Sequence, residues 1–303
     1  MLHRLSTYKL PEETAALMTL IDMHSHWGTR RGYPFQTPEE LAQQERVFKS
    51  KPHYVTEAEM AEHFKKTGVR VMLDLGVRME QSPEAARALH DYAFETRRQH
   101  PDVILGHWLH IDPRHGRAAL DELDRCLRAD AGLVGLSVPG AGFNVPADDP
   151  MYAPFYKMCI DARAPVLIMV GTTGLGAGRP GGGGVILDAS HPRHLDVVAA
   201  TYPELVLVAS RPAWPWQTEM IAILLHKTSV WYEVHGWSPR YFAPDLKQEI
   251  GRRLQDRVMF GADYPLLNYE RLLSDWRVEG YGDIVLNKVL GANAEAFLAA
   301  VAR

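Results

Sequence analysis

The chain has 303 residues, 46% of them hydrophobic and 23% charged, with a formal net charge of -4. This composition supplies a full core and excludes intrinsic disorder, and so small a charge gives no electrostatic reason to expect nucleic acid or an anionic membrane as partner. The length suits one large α/β barrel or two ordinary domains, and a small-molecule substrate is the expected partner.

Cys126 and Cys159 lack C-x-x-C spacing and fall in segments of helical pattern, so both are expected as buried free thiols. The first twenty residues include Lys9, Glu12 and Glu13 and show no continuous apolar run before a small-residue cleavage site, so no secretory signal is expected. No run reaches the roughly 18 apolar residues of a membrane helix. Cytoplasmic residence is the resulting expectation; a homodimer is compatible with the sequence but not specified by it.

The first predicted strand covers 18–24 and leads into Asp22-Met23-His24-Ser25-His26-Trp27-Gly28. Strict alternation places Asp22, His24 and His26 on one face, with Met23 and Ser25 opposite. Two converging imidazoles at a strand end point to a divalent metal rather than to polar residues at a strand-loop junction. The stretch 29–54 is polar and broken by Gly32, Pro34, Pro38 and Pro52, with a short helix over 39–48, and reads as an insertion above a strand end. Thr56-Glu57-Ala58-Glu59 has the form of a capping box and opens an amphipathic helix ending near Gly68.

From there strands are predicted over 69–75, 103–111, 133–138, 165–170, 205–210, 230–234 and 257–262. Helices are predicted over 83–100, 116–129, 150–162, 191–201, 219–226 and 246–254, with further helices closing the chain. Strands alternating with helices imply parallel pairing through right-handed crossovers, and eight such units fit a (β/α)8 barrel, with a doubly wound open sheet as the alternative. With no repeat and no Pro- or Ser-rich linker, 1–303 is read as one domain carrying the insertion at 29–54 and a Gly-rich loop at 171–184.

In a parallel barrel the chemistry lies where each strand stops. The eighth stops at Phe260-Gly261-Ala262-Asp263-Tyr264-Pro265, so Asp263 would face His24 and His26 across the mouth, as a metal ligand or a proton acceptor, although an Asp before Tyr-Pro can also cap a turn. On the seventh strand Trp231, Glu233 and His235 share a face, and His235 is either an inward catalytic group or hydrogen-bonded in the loop shell. His107 and His110, three apart, face oppositely and are expected mainly in the core. His191 and His194 sit near a helix start on a solvated face. The loop 171–184, with four consecutive glycines at Gly181 to Gly184, lacks the Lys-Ser or Lys-Thr of a nucleotide P-loop and reads as a lid.

Several of these stretches together resemble the amidohydrolase superfamily: D-M-H-S-H, Pro165 to Ile168 leading into Gly171-Thr172-Thr173-Gly174, Trp214-Pro215-Trp216, Gly236-Trp237-Ser238-Pro239 and F-G-A-D-Y-P. The resemblance is to the amidohydrolase-related branch containing aminocarboxymuconate semialdehyde decarboxylase, resorcylate decarboxylases and carbon-carbon bond hydrolases. It implies a (β/α)8 barrel with one divalent metal, zinc first and manganese second, held by two first-strand histidines, a fifth-strand histidine and an eighth-strand aspartate. His24, His26 and Asp263 match. Met169 stands at the fifth-strand position, and a thioether replaces imidazole poorly toward either metal, so a weakly held or lost ion is implied. Arg211 stands where relatives carry the sixth-strand histidine, and a guanidinium cannot act as a general base. Strand four, with Leu136-Ser137-Val138-Pro139, lacks the basic residue or histidine of several relatives.

The leading expectation is therefore metal-dependent hydrolysis of a small anionic substrate, aromatic or acyl. Asp263, Arg211 and His235 would be catalytic, Arg211, Trp27, Trp214 and Tyr264 would contact substrate, and His24, His26 and Asp263 would hold the metal. A metal-dependent decarboxylase of an aromatic or muconate-type acid is the first alternative; a metal-free enzyme or non-catalytic binding barrel is the second. For Arg211, substrate anchoring competes with a structural pairing to Glu233.

Overall fold

The computed structural model describes residues 20–33, 37–49, 54–76, 82–129 and 131–302. Its elements run β1 (Leu20–Ser25), α1 (Pro38–Phe48), α2 (Glu57–Thr67), β2 (Val69–Asp74), α3 (Pro83–Gln99), β3 (Ile104–His110), α4 (Arg117–Leu127) and β4 (Leu133–Val138). Then follow α5 (Ala153–Asp161), β5 (Val166–Met169), α6 (Pro192–Thr201), β6 (Leu207–Ser210), α7 (Gln217–His226), β7 (Val230–Glu233), α8 (Pro244–Ile250) and β8 (Val258–Met259). Helices α9 (Tyr269–Val278), α10 (Asp283–Asn287) and α11 (Asn293–Val301) close the chain.

Neighbouring strands pair in parallel in the order β1 to β8. The Met23 amide donates to the Phe260 carbonyl, and the Asp263 amide to the His24 carbonyl, both at 2.9 Å, tying the end of the sheet to its start. The result is the single (β/α)8 barrel that the alternation predicts. Local signals set the element ends: Thr56 and Glu59 form the reciprocal cap of α2, and Gly68, at φ 70°, ends that helix. Helix α1 in the insertion carries a second capping box, Thr37 with Glu40. The start of the first predicted strand at Met18, and Pro34 and Pro52 of the insertion, lie outside the described residues. Helix α8 stops at Ile250 rather than 254, and β8 pairs only over two residues, after which the chain leaves the ladder toward the mouth.

Two apolar layers hold the barrel. The outer one lies between strands and helices, while the inner one stacks Ile21, Met23, Met72, Trp108, Leu167 and Met259 inside the sheet. Ala294, Phe297 and Val301 of α11 close the inner layer. The helical segment Asp283–Val301 is long and apolar enough, by length and composition, to cross a membrane, although it is no continuous apolar run; Val289 and Leu290 pack in the outer layer and Ala294, Phe297 and Val301 in the inner one. Cys126 and Cys159 are buried free thiols, as expected.

On β3, Trp108 packs in the inner layer and Leu109 in the outer, so alternation turns His107 toward the helices and His110 inward. His107 is fully buried, and neither ring nitrogen has a hydrogen-bond partner among the described residues. Burial, reinforced by the charges of Arg97 and His90, pushes it down to about 3. The unfolded chain protonates this ring near its ordinary value of 6.5 whereas the folded chain resists until about 3, so its stabilising contribution is present above pH 6.5 and is lost as pH falls toward 3. At pH 5 the loss is about 2 kcal/mol. His107→Leu should therefore narrow the gap between the melting temperatures at pH 8 and pH 5, and a gap equal to that of the unaltered chain would count against this assignment.

Candidate active site

The C-terminal ends of the strands surround a cavity of about 410 Å³. Its polar side is formed by His24, His26, Asp74, Arg211 and Asp263, and its apolar walls include Tyr33, Phe48, Met169, Leu175, Trp237 and Leu266. The insertion and the Gly-rich loop build one wall together: Gln43 Nε2 donates to the Ala177 carbonyl at 2.7 Å, and Gln44 Nε2 to Tyr33 Oη at 2.6 Å. Gly176, at φ +73°, allows that loop to fold back on itself, since a Cβ there would lie 1.9 Å from the Gly182 carbonyl oxygen.

Strict alternation along β1 does not hold. The register against β2 shifts between Asp22 and Ser25, so three steps on β1 match two on β2, and this irregularity turns Asp22 away from the histidines. Instead of joining the imidazoles of His24 and His26, the Asp22 carboxylate accepts from Tyr269 Oη at 2.6 Å, from the backbone amides of His24 at 2.9 Å and Ala262 at 3.1 Å, and from Ser25 Oγ. Ser25 Oγ in turn accepts from the Tyr264 amide at 2.8 Å. Asp22 is thus an anchor between the first strand and the segment that carries Asp263. Burial raises its pKa despite these donors.

The inward groups are held by one another across the strand ends. His26 Nδ1 meets the Asp74 backbone carbonyl, and its Nε2 lies 3.0 Å from Asp263 Oδ1. His110 Nε2 lies 2.6 Å from Asp74 Oδ1, and His24 stacks on His235 at 3.6 Å between ring centroids. Glu233 Oε1 takes His235 Nδ1 at 2.7 Å and also Ser210 Oγ, and His24 Nδ1 lies 3.4 Å from the same oxygen. Gly261 makes room for this pair, because a Cβ there would lie 2.7 Å from Glu233 Oε2 and 2.8 Å from His235 Cβ. Arg211 donates from Nη1 to the Thr172 carbonyl at 2.9 Å and from Nη2 to His235 Nε2 at 3.1 Å. Arg211 and Asp263 both adopt positive φ, 82° and 60°, a conformation uncommon for residues with a side chain.

The charges follow from this packing. Burial opposes a charge on His24, but Glu233, Asp74 and Asp263 outweigh it and push the ring up to about 9. His235 goes the other way, to about 4, through burial and the positive His24 and Arg211, in spite of Glu233. Burial alone would raise Asp263, yet its hydrogen bond with His26 and the charges of His235, His26 and Arg211 hold it well below the usual carboxylate range. Asp74 and Glu233 are likewise held low against burial, Asp74 by His110 and His24, and Glu233 by His235 and His24.

Of the residues singled out in the sequence, the structure brings His24, His26, Arg211, His235 and Asp263 together. The proposed pairing of Arg211 with Glu233 is replaced by its contacts to Thr172 and His235. The three aromatic residues expected against substrate lie elsewhere. Trp27 is fully buried behind β1, bonded through Nε1 to Glu57 and stacked on Phe64. Trp214 is 55% exposed outside the cavity wall. Tyr264 stacks on Tyr269 at 5.4 Å, behind the mouth. His191 and His194 are not on a freely solvated face: His194 Nδ1 lies 2.6 Å from Asp148 and His191 packs on Trp216. Sequence reasoning missed Asp74, although it ends the apolar run Val-Arg-Val-Met-Leu-Asp just as Asp263 ends its own. It also missed Tyr33 and Phe48, whose insertion gives no periodic signal of what it covers.

The amidohydrolase family model matches residues 21–299. The chain belongs to the amidohydrolase family. No curated protein matches it in sequence. Among solved structures it is similar to an uncharacterised TIM-barrel protein from Bordetella bronchiseptica, with 21% identity, TM-score 0.70, and coverage of 94% of this chain and 99% of that one. A probable 2-pyrone-4,6-dicarboxylic acid hydrolase from Acinetobacter baumannii, solved with citric acid bound, matches at 14% identity, TM-score 0.60, and coverage of 93% and 99%. A dihydroxybenzoic acid decarboxylase from Polaromonas, solved with manganese and the inhibitor 2-nitroresorcinol, matches at 14% identity, TM-score 0.60, and coverage of 92% and 96%.

The donor set of this chain fits a divalent ion such as the manganese of the Polaromonas structure. The Asp74 carbonyl can only accept, so His26 Nδ1 carries its hydrogen and the Nε2 lone pair faces Asp263 Oδ1; two acceptors 3.0 Å apart require a cation or an added proton between them. Three buried carboxylates, Asp74, Glu233 and Asp263, lie against these imidazoles and draw a proton onto His24, a positive charge that a bound divalent ion would replace. His24, His235 and Asp263 also offer ligand atoms all within 4.8 Å of one another.

Proposed function

We propose that this chain is a hydrolase of a small carboxylic acid with an apolar or aromatic body. The observation that carries the proposal is the cavity itself, which sets a fixed cation, Arg211, and a strongly ionised carboxylate, Asp263, opposite walls of Tyr33, Phe48, Leu175 and Trp237. Arg211 binds the substrate carboxylate through its planar fork, and the apolar walls take up the body and exclude water. His26 orients Asp263, which accepts the proton of the attacking water. His24, His26 and Asp263 would hold the ion, zinc first and manganese second, and when bound it would supply Lewis acidity at the scissile carbonyl.

Decarboxylation is the second reading, favoured by the likeness to the Polaromonas enzyme. Protonating a carbon requires a group that carries a proton; Asp263 is held ionised, so in this reading the role falls to His24, which is pushed up to about 9. The test is turnover of a panel of aromatic and acyl carboxylates bearing ester or lactone bonds, in water enriched in the heavy oxygen isotope. Label in the product without carbon dioxide release is expected; carbon dioxide release without label would establish the second reading, and turnover of neither kind would overturn both. With any anionic substrate found, Arg211→Lys should raise KM about tenfold or more, because lysine keeps the charge and loses the fork. An unchanged KM would remove Arg211 from substrate binding.

A further inference from the structure

His235 is fully buried and absent from the cavity wall, although it stacks directly on His24 and lies with His24 and Asp263 in one cluster of ligand atoms. Two neighbours produce this arrangement. Glu233 accepts from His235 Nδ1 at 2.7 Å, which fixes the hydrogen on that nitrogen and leaves a lone pair on Nε2. Arg211 Nη2, at 3.1 Å, then covers that lone pair on the side toward the cavity. A carboxylate-bonded imidazole that shares a cluster of ligand atoms with His24 and Asp263 has the form of a metal ligand, and here an arginine occupies its remaining nitrogen.

We propose that His235 is a fourth ligand, supplied by the seventh strand where the fifth offers only Met169, and that Arg211 and a divalent ion compete for its Nε2. This rests on the reading that His24, His26 and Asp263 hold an ion. With the guanidinium in place the ion has three protein donors; with it withdrawn, four. Glu233 acts through His235 and is a positioning residue. Arg211 also reaches the cavity, so a substrate carboxylate that draws the guanidinium away uncovers the ligand, and anion and ion then bind with positive coupling, which linkage makes reciprocal.

The test is calorimetric titration of the chelator-stripped full chain with Mn²⁺. Arg211→Gln and Arg211→Met, two neutral replacements that pack differently, should each bind the ion on the order of tenfold more tightly than the unaltered chain. Adding His235→Gln to either should abolish that gain, while His235→Gln alone should change the affinity far less. In the unaltered chain, where neither variant's folding matters, saturating benzoate should tighten Mn²⁺ binding, and an unchanged or weakened affinity would overturn the coupling. Equal affinities for the unaltered chain and a folded Arg211 variant would overturn the competition while leaving the three-ligand reading intact. Binding by none of the proteins would overturn both.

Discussion

Replacing Asp263 by Asn should lower turnover about a thousandfold, or ~4 kcal/mol of barrier. Asn keeps the size of the side chain and the amide contact that fixes the segment, since the Asp263 backbone N-H donates to the His24 carbonyl whichever side chain is present. What it loses is the charge. An amide cannot accept the proton of water at neutral pH, and opposite His26 Nε2 it offers a weaker ligand atom. The check is the single-turnover rate against any substrate identified, with the melting temperature measured in parallel. Turnover within a few fold of the unaltered chain would strike Asp263 from the chemistry.

The largest effect on stability is expected at Glu233. It is fully buried, and its two oxygens serve Ser210 Oγ, His235 Nδ1 and the His235 amide, with His24 3.4 Å away. Glu233→Ala removes one charge from a network otherwise closed to water, stranding a hydroxyl, an amide and two imidazoles. Breaking a buried ion pair from one side costs about 3–5 kcal/mol, which lowers the melting temperature by roughly 10 °C in a chain of this size. The same change frees the His235 ring, so the gain in metal affinity expected of the Arg211 variants should be lost when Glu233→Ala is added to them. A melting temperature within about 2 °C of the unaltered chain would show that the network relaxes or takes in water.

The barrel was legible because each strand is a short apolar run between amphipathic helices, and that pattern survives without knowledge of tertiary contacts. Capping boxes placed helix ends to within a residue or two, as at Thr56 and Glu59. The site was legible only in part. His24, His26 and Asp263 stand at strand ends and could be read from position, but the face of Asp22 could not, because the register irregularity in β1 depends on the neighbouring strand. The aromatic residues adjoining the motifs were assigned to substrate by proximity in sequence. Trp27 and Tyr264 pack behind the strands instead, while the cavity wall comes from Tyr33 and Phe48 in the irregular insertion. Arg211 was recognised as the unusual residue, yet its partner could not be read: Glu233 is the charged choice, but it is taken by His235, which leaves the guanidinium to the imidazole.

The central claim is that the barrel mouth holds one divalent ion beside Asp263. The most direct measurement is anomalous diffraction from crystals of the unaltered chain soaked in Mn²⁺, recorded near the manganese edge. A single strong peak is expected, bounded by His24, His26 and Asp263, with the His26 Nδ1 contact to the Asp74 carbonyl retained. Anomalous density confined to surface carboxylates, with the His26 and Asp263 pair unchanged at saturating manganese, would contradict it.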